Sequence, residues 1–193
     1  MNKSIWAFAV LVLIAGGVYF FLPRAADNGM EPGGADTPEV TTLKQYKNDT
    51  YGMTFAYRDS YVLSEVAADG TGGHLAMITL MDKVAAANIP EGGEGPVSIT
   101  FDIYKPTSAE KSAQEWIRST PQSNFQLSAD KNIAEVSVAG TTGYAYTWDG
   151  LYRGRSIAFA HGEYIVVASV TMLEPTDMIV SDFDALVQTL EVQ

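Results

Sequence analysis

Apolar residues fall into two regions of the chain that have different patterns. From Ile5 to Leu22 the sequence is apolar without interruption, whereas from Leu43 onward short apolar stretches alternate with polar residues and turn formers. Pro, Gly, Asp and Glu dominate the stretch between these regions, and such a composition cannot bury enough surface to order itself. The pattern predicts three parts, which are an N-terminal membrane helix at 1–22, a flexible acidic linker at 23–42 and one folded domain at 43–193.

The first part has the length of a transmembrane helix. Its uncharged run from Ile5 to Leu22 reaches about 27 Å as a helix, which is close to the thickness of a hydrocarbon core. Trp6 and Tyr19 lie near its two ends, where aromatic rings favour the headgroup region. Lys3 precedes the helix and acidic residues follow it. We therefore expect a single-pass protein whose N-terminus is cytoplasmic and whose domain lies outside the cell membrane.

A cleaved signal peptide is the alternative for the same segment. Ala15, Gly16 and Gly17 provide the small residues that a signal peptidase reads, and cleavage would give a secreted or periplasmic protein. The mature chain would then begin with the apolar run Val18 to Leu22, which is unsuited to a soluble N-terminus. The uncleaved anchor is therefore favoured over the cleaved signal peptide.

The folded domain has mostly strand-like patterns. Val97 to Tyr104 alternates between apolar and polar residues, which is typical of a half-buried strand, and Tyr164 to Thr171 is apolar on both faces and so is expected at the centre of a sheet. A short hairpin is predicted at Gln45 to Tyr57. Further strands are predicted at His74 to Met81, Glu135 to Val138, Gly143 to Trp148 and Tyr152 to Ala160.

Two amphipathic helices interrupt the strands. Thr107 and Glu110 form a capping box after Pro106 and predict the start of the first helix, whose inner stripe is Ala109, Ala113, Trp116 and Ile117. The second helix is predicted from a cap at Thr176 to Leu190, and its apolar stripe is Ile179, Phe183, Leu186, Val187 and Leu190.

Short turns that contain Gly, such as those at Gly150 and Gly162, favour antiparallel pairing of the strands. A face of small residues on one strand would let a helix approach closely, and these residues are Gly154, Ser156, Ala158 and Ala160. We therefore predict an α+β fold, in which helices pack against an antiparallel sheet.

Composition removes several classes of function. The chain has no cysteine, so disulfides, thiolate nucleophiles and cysteine metal sites are excluded. The net charge is -11 and no cluster of Lys and Arg interrupts the acidic surface, which argues against nucleic acid as a partner. The only histidines, His74 and His161, are not at metal-ligand spacing, so we expect no metal and no cofactor.

No catalytic motif stands out. Ser108–Lys111 and Ser128–Lys131 both match the SxxK pattern, in which the lysine activates the serine, but neither a KTG nor an SDN motif follows. The first match also lies in the helix start that capping already explains. We therefore assign no catalytic residue.

Two groups of residues are candidates for binding. Arg153 and Arg155 lie on one face of a predicted strand, and with His161 beyond them they could line an anion site. Ordinary salt bridging, at the point where this face leaves the core, is the favoured explanation. Tyr51 and Tyr57, with the tyrosines at 46 and 61, could form a platform for sugar or peptide. Half-buried strands also favour tyrosine without any ligand.

Two stretches of the domain resemble a known family. They are Tyr46 to Tyr57, with the sequence YKNDTYGMTFAY, and the end of the chain, with His161 to Val167 and Phe183 to Leu190. Both are similar to the PsbP-like family, which includes extrinsic proteins of the photosynthetic oxygen-evolving complex and many anchored prokaryotic domains of unknown role. Over residues 43–192 this resemblance implies an α/β/α sandwich around an antiparallel sheet. The family often has Pro and Trp after the first motif, where this chain has Arg58, Asp59 and Tyr61.

These observations favour a binding or accessory module that the anchor holds near an envelope or membrane protein partner. The first alternative is an envelope hydrolase that acts on peptide or glycan through carboxylates, such as Asp102, which meet only in the fold. The second alternative is recognition of cell-wall glycan by the tyrosines.

Overall fold

The computed structural model describes residues 42–106 and 112–193. Within these residues no helix is both long and apolar enough to cross a bilayer, and the transmembrane helix expected at 5–22 lies outside them. The described residues form ten strands, which are β1 (Leu43–Asn48), β2 (Met53–Arg58), β3 (Tyr61–Ala67), β4 (His74–Asp82), β5 (Ile99–Tyr104), β6 (Ala134–Val138), β7 (Thr141–Asp149), β8 (Arg153–His161), β9 (Tyr164–Met172) and β10 (Glu191–Val192).

Two antiparallel sheets organise these strands. The larger has seven strands in the order β3-β4-β5-β9-β8-β7-β6, and the smaller has three in the order β1-β2-β10. Strand β9 lies between β5 and β8, which confirms the central position predicted from its two apolar faces. The opening hairpin and the other predicted strands are also present within a few residues of their expected limits.

In the described part of the chain three α-helices accompany the sheets, and these are α1 (Lys83–Ala87), α2 (Ala113–Ser119) and α3 (Met178–Gln188). The main core lies between α3, the small sheet and one face of the large sheet. Phe55 of β2 is fully buried there and stacks on Phe101 of β5 with ring centroids 4.7 Å apart. Phe183 of α3 is also fully buried in this core.

A second core covers the opposite face of the large sheet. Trp116 and Ile117 of α2 are 1% and 0% exposed and pack with Tyr104, Ala158 and residues of β9. Helices or strands therefore cover both faces of the large sheet, as the predicted sandwich requires. Strand β8, which has the face of small residues, contacts α2, because the small side chain of Ala158 lets the helix approach closely.

Each of the two main helices has a cap that the sequence does not predict. Ser112 has an extended backbone and its Oγ accepts a hydrogen bond from the Glu115 N–H at 3.1 Å, so Ser112 caps α2. The predicted capping box at 107–110 lies outside the described residues. Helix α3 begins after Asp177, and not after the predicted cap Thr176.

Strand β3 and helix α1 were not predicted from the sequence. Strand β3 lies at the edge of the large sheet and is exposed along most of its length, so its sequence lacks a clear alternation. Helix α1 has only five residues, and it begins because the carboxylate of Asp82 accepts hydrogen bonds from the backbone N–H groups of Val84 and Ala85.

An ion pair fixes α3 to the β2–β3 segment. Asp182 is 8% exposed, Arg58 Nε lies 2.9 Å from its Oδ1, and the Tyr61 hydroxyl donates to its Oδ2 at 2.8 Å. Arg58 and Tyr61 belong to the stretch where the chain departs from the PsbP-like pattern. The departure therefore has a structural reason, because both residues satisfy one buried carboxylate.

Candidate functional site

A row of hydroxyl groups crosses the α2 side of the large sheet. Strand register places Thr79, Thr100, Ser169, Ser156 and Tyr146 side by side on five neighbouring strands. Ser156 is 1% exposed and its Oγ lies 2.8 Å from Ser169 Oγ. Neighbouring hydroxyl groups can form hydrogen bonds with one another in this way. Polar groups are therefore tolerated on this face of the sheet, although the part of the face beneath α2 is apolar.

A cavity of about 130 Å³ lies beside this row, and we call it the hydroxyl cavity. Strands β5, β8 and β9 supply most of the residues that line it, and Ser98, Trp148 and the segment 122–124 supply the rest. Its hydroxyl groups come from Ser98, Thr100, Tyr104, Ser123, Ser156, Ser169 and Thr171. The cavity is therefore a polar recess between the sheet and the segment that follows α2.

Among the described residues, Asp102 is the only carboxylate that lines the hydroxyl cavity. Its Oδ1 lies 2.9 Å from His74 Nε2, and its Oδ2 accepts a hydrogen bond from Thr100 Oγ1 at 3.2 Å. The imidazole stacks on Tyr104 with ring centroids 4.6 Å apart.

Burial raises the pKa of Asp102 above the usual range of a carboxyl group, because the charged form loses water. The neighbouring His74 and the Thr100 hydroxyl stabilise the charged form and oppose this shift only in part. Asp102 therefore combines poor solvation with few compensating donors.

We expect Asp102→Asn to preserve the fold and to change how stability depends on pH. The folded state has the raised pKa, so it holds the Asp102 proton more tightly than the unfolded chain does. The contribution of this proton to the free energy of unfolding is fully present below the pKa of the unfolded chain, which is about 3.9. It is lost as the pH rises through the pKa that Asp102 has in the folded state. The asparagine variant should therefore become more stable relative to the parent across this range. Urea unfolding at several pH values measures the difference, and a difference that is independent of pH would contradict the assignment.

Trp148 forms one wall of the hydroxyl cavity, and Gly154 allows it to lie there. The indole Nε1–H donates to Ser156 Oγ at 2.9 Å. A Cβ atom on Gly154 would lie only 2.2 Å from Trp148 Cε2, so any side chain at this position must displace the ring.

We expect Gly154→Ala to displace Trp148 and to lower the free energy of unfolding by about 1–3 kcal/mol, because the methyl group overpacks this contact. Gly150→Ala is the matched control, since its Cβ would lie at least 3.5 Å from other atoms. Urea unfolding gives the stability change, and the indole N–H signal of Trp148 in an NMR spectrum reports its displacement. If Gly154→Ala and Gly150→Ala had the same free energy of unfolding, displacement of the Trp148 ring would not destabilise the protein and the prediction would be wrong.

The structure separates the residues of the predicted anion site. Arg153 and His161 are the first and last residues of β8, which places them about 26 Å apart at the usual rise per residue. Arg155 donates from Nη2 to Asp184, and Arg153 Nη1 lies 3.7 Å from Glu174 Oε2. Arg155 also lies over the Phe183 ring at 5.1 Å. The salt-bridge interpretation therefore fits both arginines, and His161 does not lie beside them.

The predicted tyrosine platform is likewise divided. Tyr51 packs edge-on against Tyr164 with centroids 5.5 Å apart, and Tyr57 packs edge-on against Phe55 at 6.2 Å. Tyr46 and Tyr61 are 8% and 7% exposed and donate hydrogen bonds to carboxylates. The structure does not bring the four rings onto one open surface, although Tyr51 and Tyr57 are each partly exposed.

The described SxxK match has no activated serine. Ser128 Oγ donates to Asp130, whereas Lys131 Nζ donates to the backbone carbonyls of Phe125 and Gln126. The lysine is thus engaged away from the serine hydroxyl. The other match includes residues 108–111, which lie outside the described residues.

The sequence indicates Asp102 as a candidate but does not reveal the hydroxyl cavity around it. Thr100 and Asp102 were placed on the polar face of their strand, and that face is the one that lines the cavity. Ser169 and Thr171 gave a weaker signal, as two hydroxyl residues in an otherwise apolar strand. Within residues 42–106 and 112–193 no group of three or more potential metal ligands is present.

Comparison with known proteins bears on the fold. No protein-family model and no curated protein matches the chain. A similar solved structure is the solution structure of cyanobacterial PsbP (CyanoP) from Synechocystis sp. PCC 6803, which is 14% identical and has a TM-score of 0.53. The similarity covers 84% of this chain and 99% of CyanoP. At this identity the likeness concerns architecture and not activity, and the domain therefore has a PsbP-like fold.

Proposed function

We propose that the chain is a membrane-anchored accessory protein whose PsbP-like domain binds a partner outside the cytoplasm. The observation that carries this proposal is the hydroxyl cavity, which offers one poorly solvated carboxylate and several hydroxyl groups. Concave sites with a few convergent polar groups are typical places of binding. The uncharged run at 5–22 supports the anchor, and the Lys3 flank supports an external domain.

The cavity fits binding better than the hydrolase alternative. Two carboxylates with separated pKa values are the usual requirement for acid–base hydrolysis of a glycosidic bond. Among the described residues that line the cavity, only Asp102 is acidic. Its nearest titratable neighbour is His74, which stacks on Tyr104. This arrangement provides recognition groups without a second carboxylate.

Photo-crosslinking in intact membranes tests the binding role. Benzoylphenylalanine at Gln122, a partly exposed residue that lines the cavity, should capture a reproducible protein partner. The same group at Lys44, an exposed residue of the small sheet, is the matched control, because that sheet packs against the other face. If Gln122 captured no reproducible partner, or the same proteins as Lys44, the proposed role would be wrong.

Membrane vesicles test the anchor separately. We expect the chain to stay with vesicles through an alkaline carbonate wash, and an external protease applied to spheroplasts to digest the domain at 43–193. The N-terminal sequence of the mature chain distinguishes an anchor from a cleaved signal peptide. Release by carbonate, or protection of the domain from protease, would contradict the proposed topology.

A further inference from the structure

We propose that the hydroxyl cavity receives a basic side chain, a lysine or an arginine, from the partner protein. This inference rests on the proposed binding role and specifies the chemistry of the group that is bound. It is carried by the size of the cavity, by the unused acceptor positions of Asp102 and by the aromatic residues of its walls.

The volume of the cavity favours the end of a side chain. About 130 Å³ is the space of roughly four water molecules. Sites for free ligands of drug size usually enclose about 300–1,000 Å³. A ligand of drug size would therefore not be enclosed by the cavity, whereas the terminal atoms of one long side chain would.

Asp102 has hydrogen-bond acceptor positions that the described residues do not fill. Each oxygen of Asp102 has two lone pairs, and the contacts with His74 and Thr100 engage only one position on each. Thr171 Oγ1 accepts a hydrogen bond from the Ser98 N–H at 2.8 Å and donates to the Ser98 carbonyl at 3.3 Å, which leaves it one lone pair. An ammonium or guanidinium group supplies donors alone, which complements this set of acceptors.

Long-range electrostatic attraction also favours a cation. The chain has a net charge of -11, which attracts cations toward the domain. Asp102 is poorly solvated, so a cation that replaces its lost water would be held by a charge-assisted hydrogen bond. A single carboxylate falls short of the ligand set that calcium usually requires, and this favours an organic cation.

The remaining walls suit the stem of a basic side chain. Tyr104 and Trp148 present ring surfaces and Val167 presents methyl groups. Lys and Arg bury their methylene stems along such surfaces while the charged head reaches a polar group. A cation near the indole or phenol ring also gains cation–π attraction.

Titration of the full-length protein in lipid nanodiscs with Nα-acetyl-lysine-methylamide tests the inference. The chain has three tryptophans, so the Trp148 indole N–H signal in an NMR spectrum reports on the cavity, and the signal of buried Trp116 is an internal control. We expect the Trp148 signal to shift and to saturate below about 50 mM, as a site with millimolar affinity requires. The norleucine analogue, which has a similar stem without the charge, should leave the signal in place.

Asp102→Asn is the decisive variant, because it keeps the shape of the side chain and removes its charge. We expect the affinity for the lysine probe to fall about tenfold, since a charge-assisted hydrogen bond is lost. Asp184→Asn, at an exposed carboxylate of α3, should bind the probe as the parent does. Equal binding of the norleucine analogue, equal binding by Asp102→Asn, or no shift up to about 50 mM would overturn the inference.

Photo-crosslinking separates this result from the proposed function. A partner captured at Gln122 by the parent and equally by Asp102→Asn would leave the binding role in place and overturn the basic side chain. A lysine-specific shift without any captured partner would overturn the binding role and leave the cation site. Capture that is lost in Asp102→Asn, with a lysine or arginine at the cross-linked peptide, would support both.

Discussion

Replacing Trp116 with alanine should lower the free energy of unfolding by about 3–5 kcal/mol, which is the usual cost of removing a large buried aromatic side chain. Trp116 is 1% exposed and its ring lies 4.8 Å from that of Tyr104. Helix α2 has only seven residues, so it depends on tertiary packing and not on its own helical propensity. The loss should also loosen the segment 122–124, which follows α2 and lines the hydroxyl cavity.

Urea unfolding of the full-length protein measures this change. Leu127→Ala is the matched control, because Leu127 follows α2 on the same side of the sheet but is 48% exposed. A surface substitution of this kind usually changes stability by less than about 0.5 kcal/mol. Similar losses for the two variants would mean that α2 does not depend on the burial of Trp116.

Replacing Asp182 with alanine should lower the free energy of unfolding by about 2–4 kcal/mol, because Arg58 and Tyr61 lose their common partner. Breaking a fully buried ion pair usually costs about 3–5 kcal/mol, and the lower figure allows for solvent that reaches Arg58, whose side chain is 39% exposed. The Tyr61 hydroxyl would also be left without its acceptor inside the protein.

Asp184→Ala provides the control on the same helix. Asp184 pairs with Arg155, but its side chain is 51% exposed, so its loss should cost at most about 1 kcal/mol. Thermal and urea unfolding of the two variants, compared with the parent, give both values. If Asp184→Ala destabilised the protein as strongly as Asp182→Ala, burial of the Asp182 carboxylate would not explain the effect.

Local sequence patterns predicted most of the strands, because a strand with a buried face needs apolar residues at the positions that point to that face. Val97 to Tyr104 shows both the strength and the limit of this reasoning. Its residues Ile99, Phe101 and Ile103 are at most 1% exposed, as alternation predicts. Its other face was expected to meet water, but α2 packs beside Tyr104, which is 6% exposed.

The candidate site was only partly predictable. Asp102 could be named from the sequence as a carboxylate that would meet partners in the fold. His74 lies 28 positions earlier in the chain, and the contact between them depends on the pairing of β4 with β5. Likewise, Arg155 and His161 lie on one strand, but only the extended length of that strand shows how far apart they are.

By itself, the sequence determined the strand-rich α+β character of the domain, the apolar stripes of its helices and the exclusion of cysteine chemistry, because these depend on residue type and on spacing within one element. Tertiary structure alone decided the strand order, the burial of both faces of the large sheet, the partners of Asp182 and the hydroxyl cavity. The physical reason is that these features join residues far apart in the chain, such as Tyr61 and Asp182, whose meeting depends on the packing of whole elements.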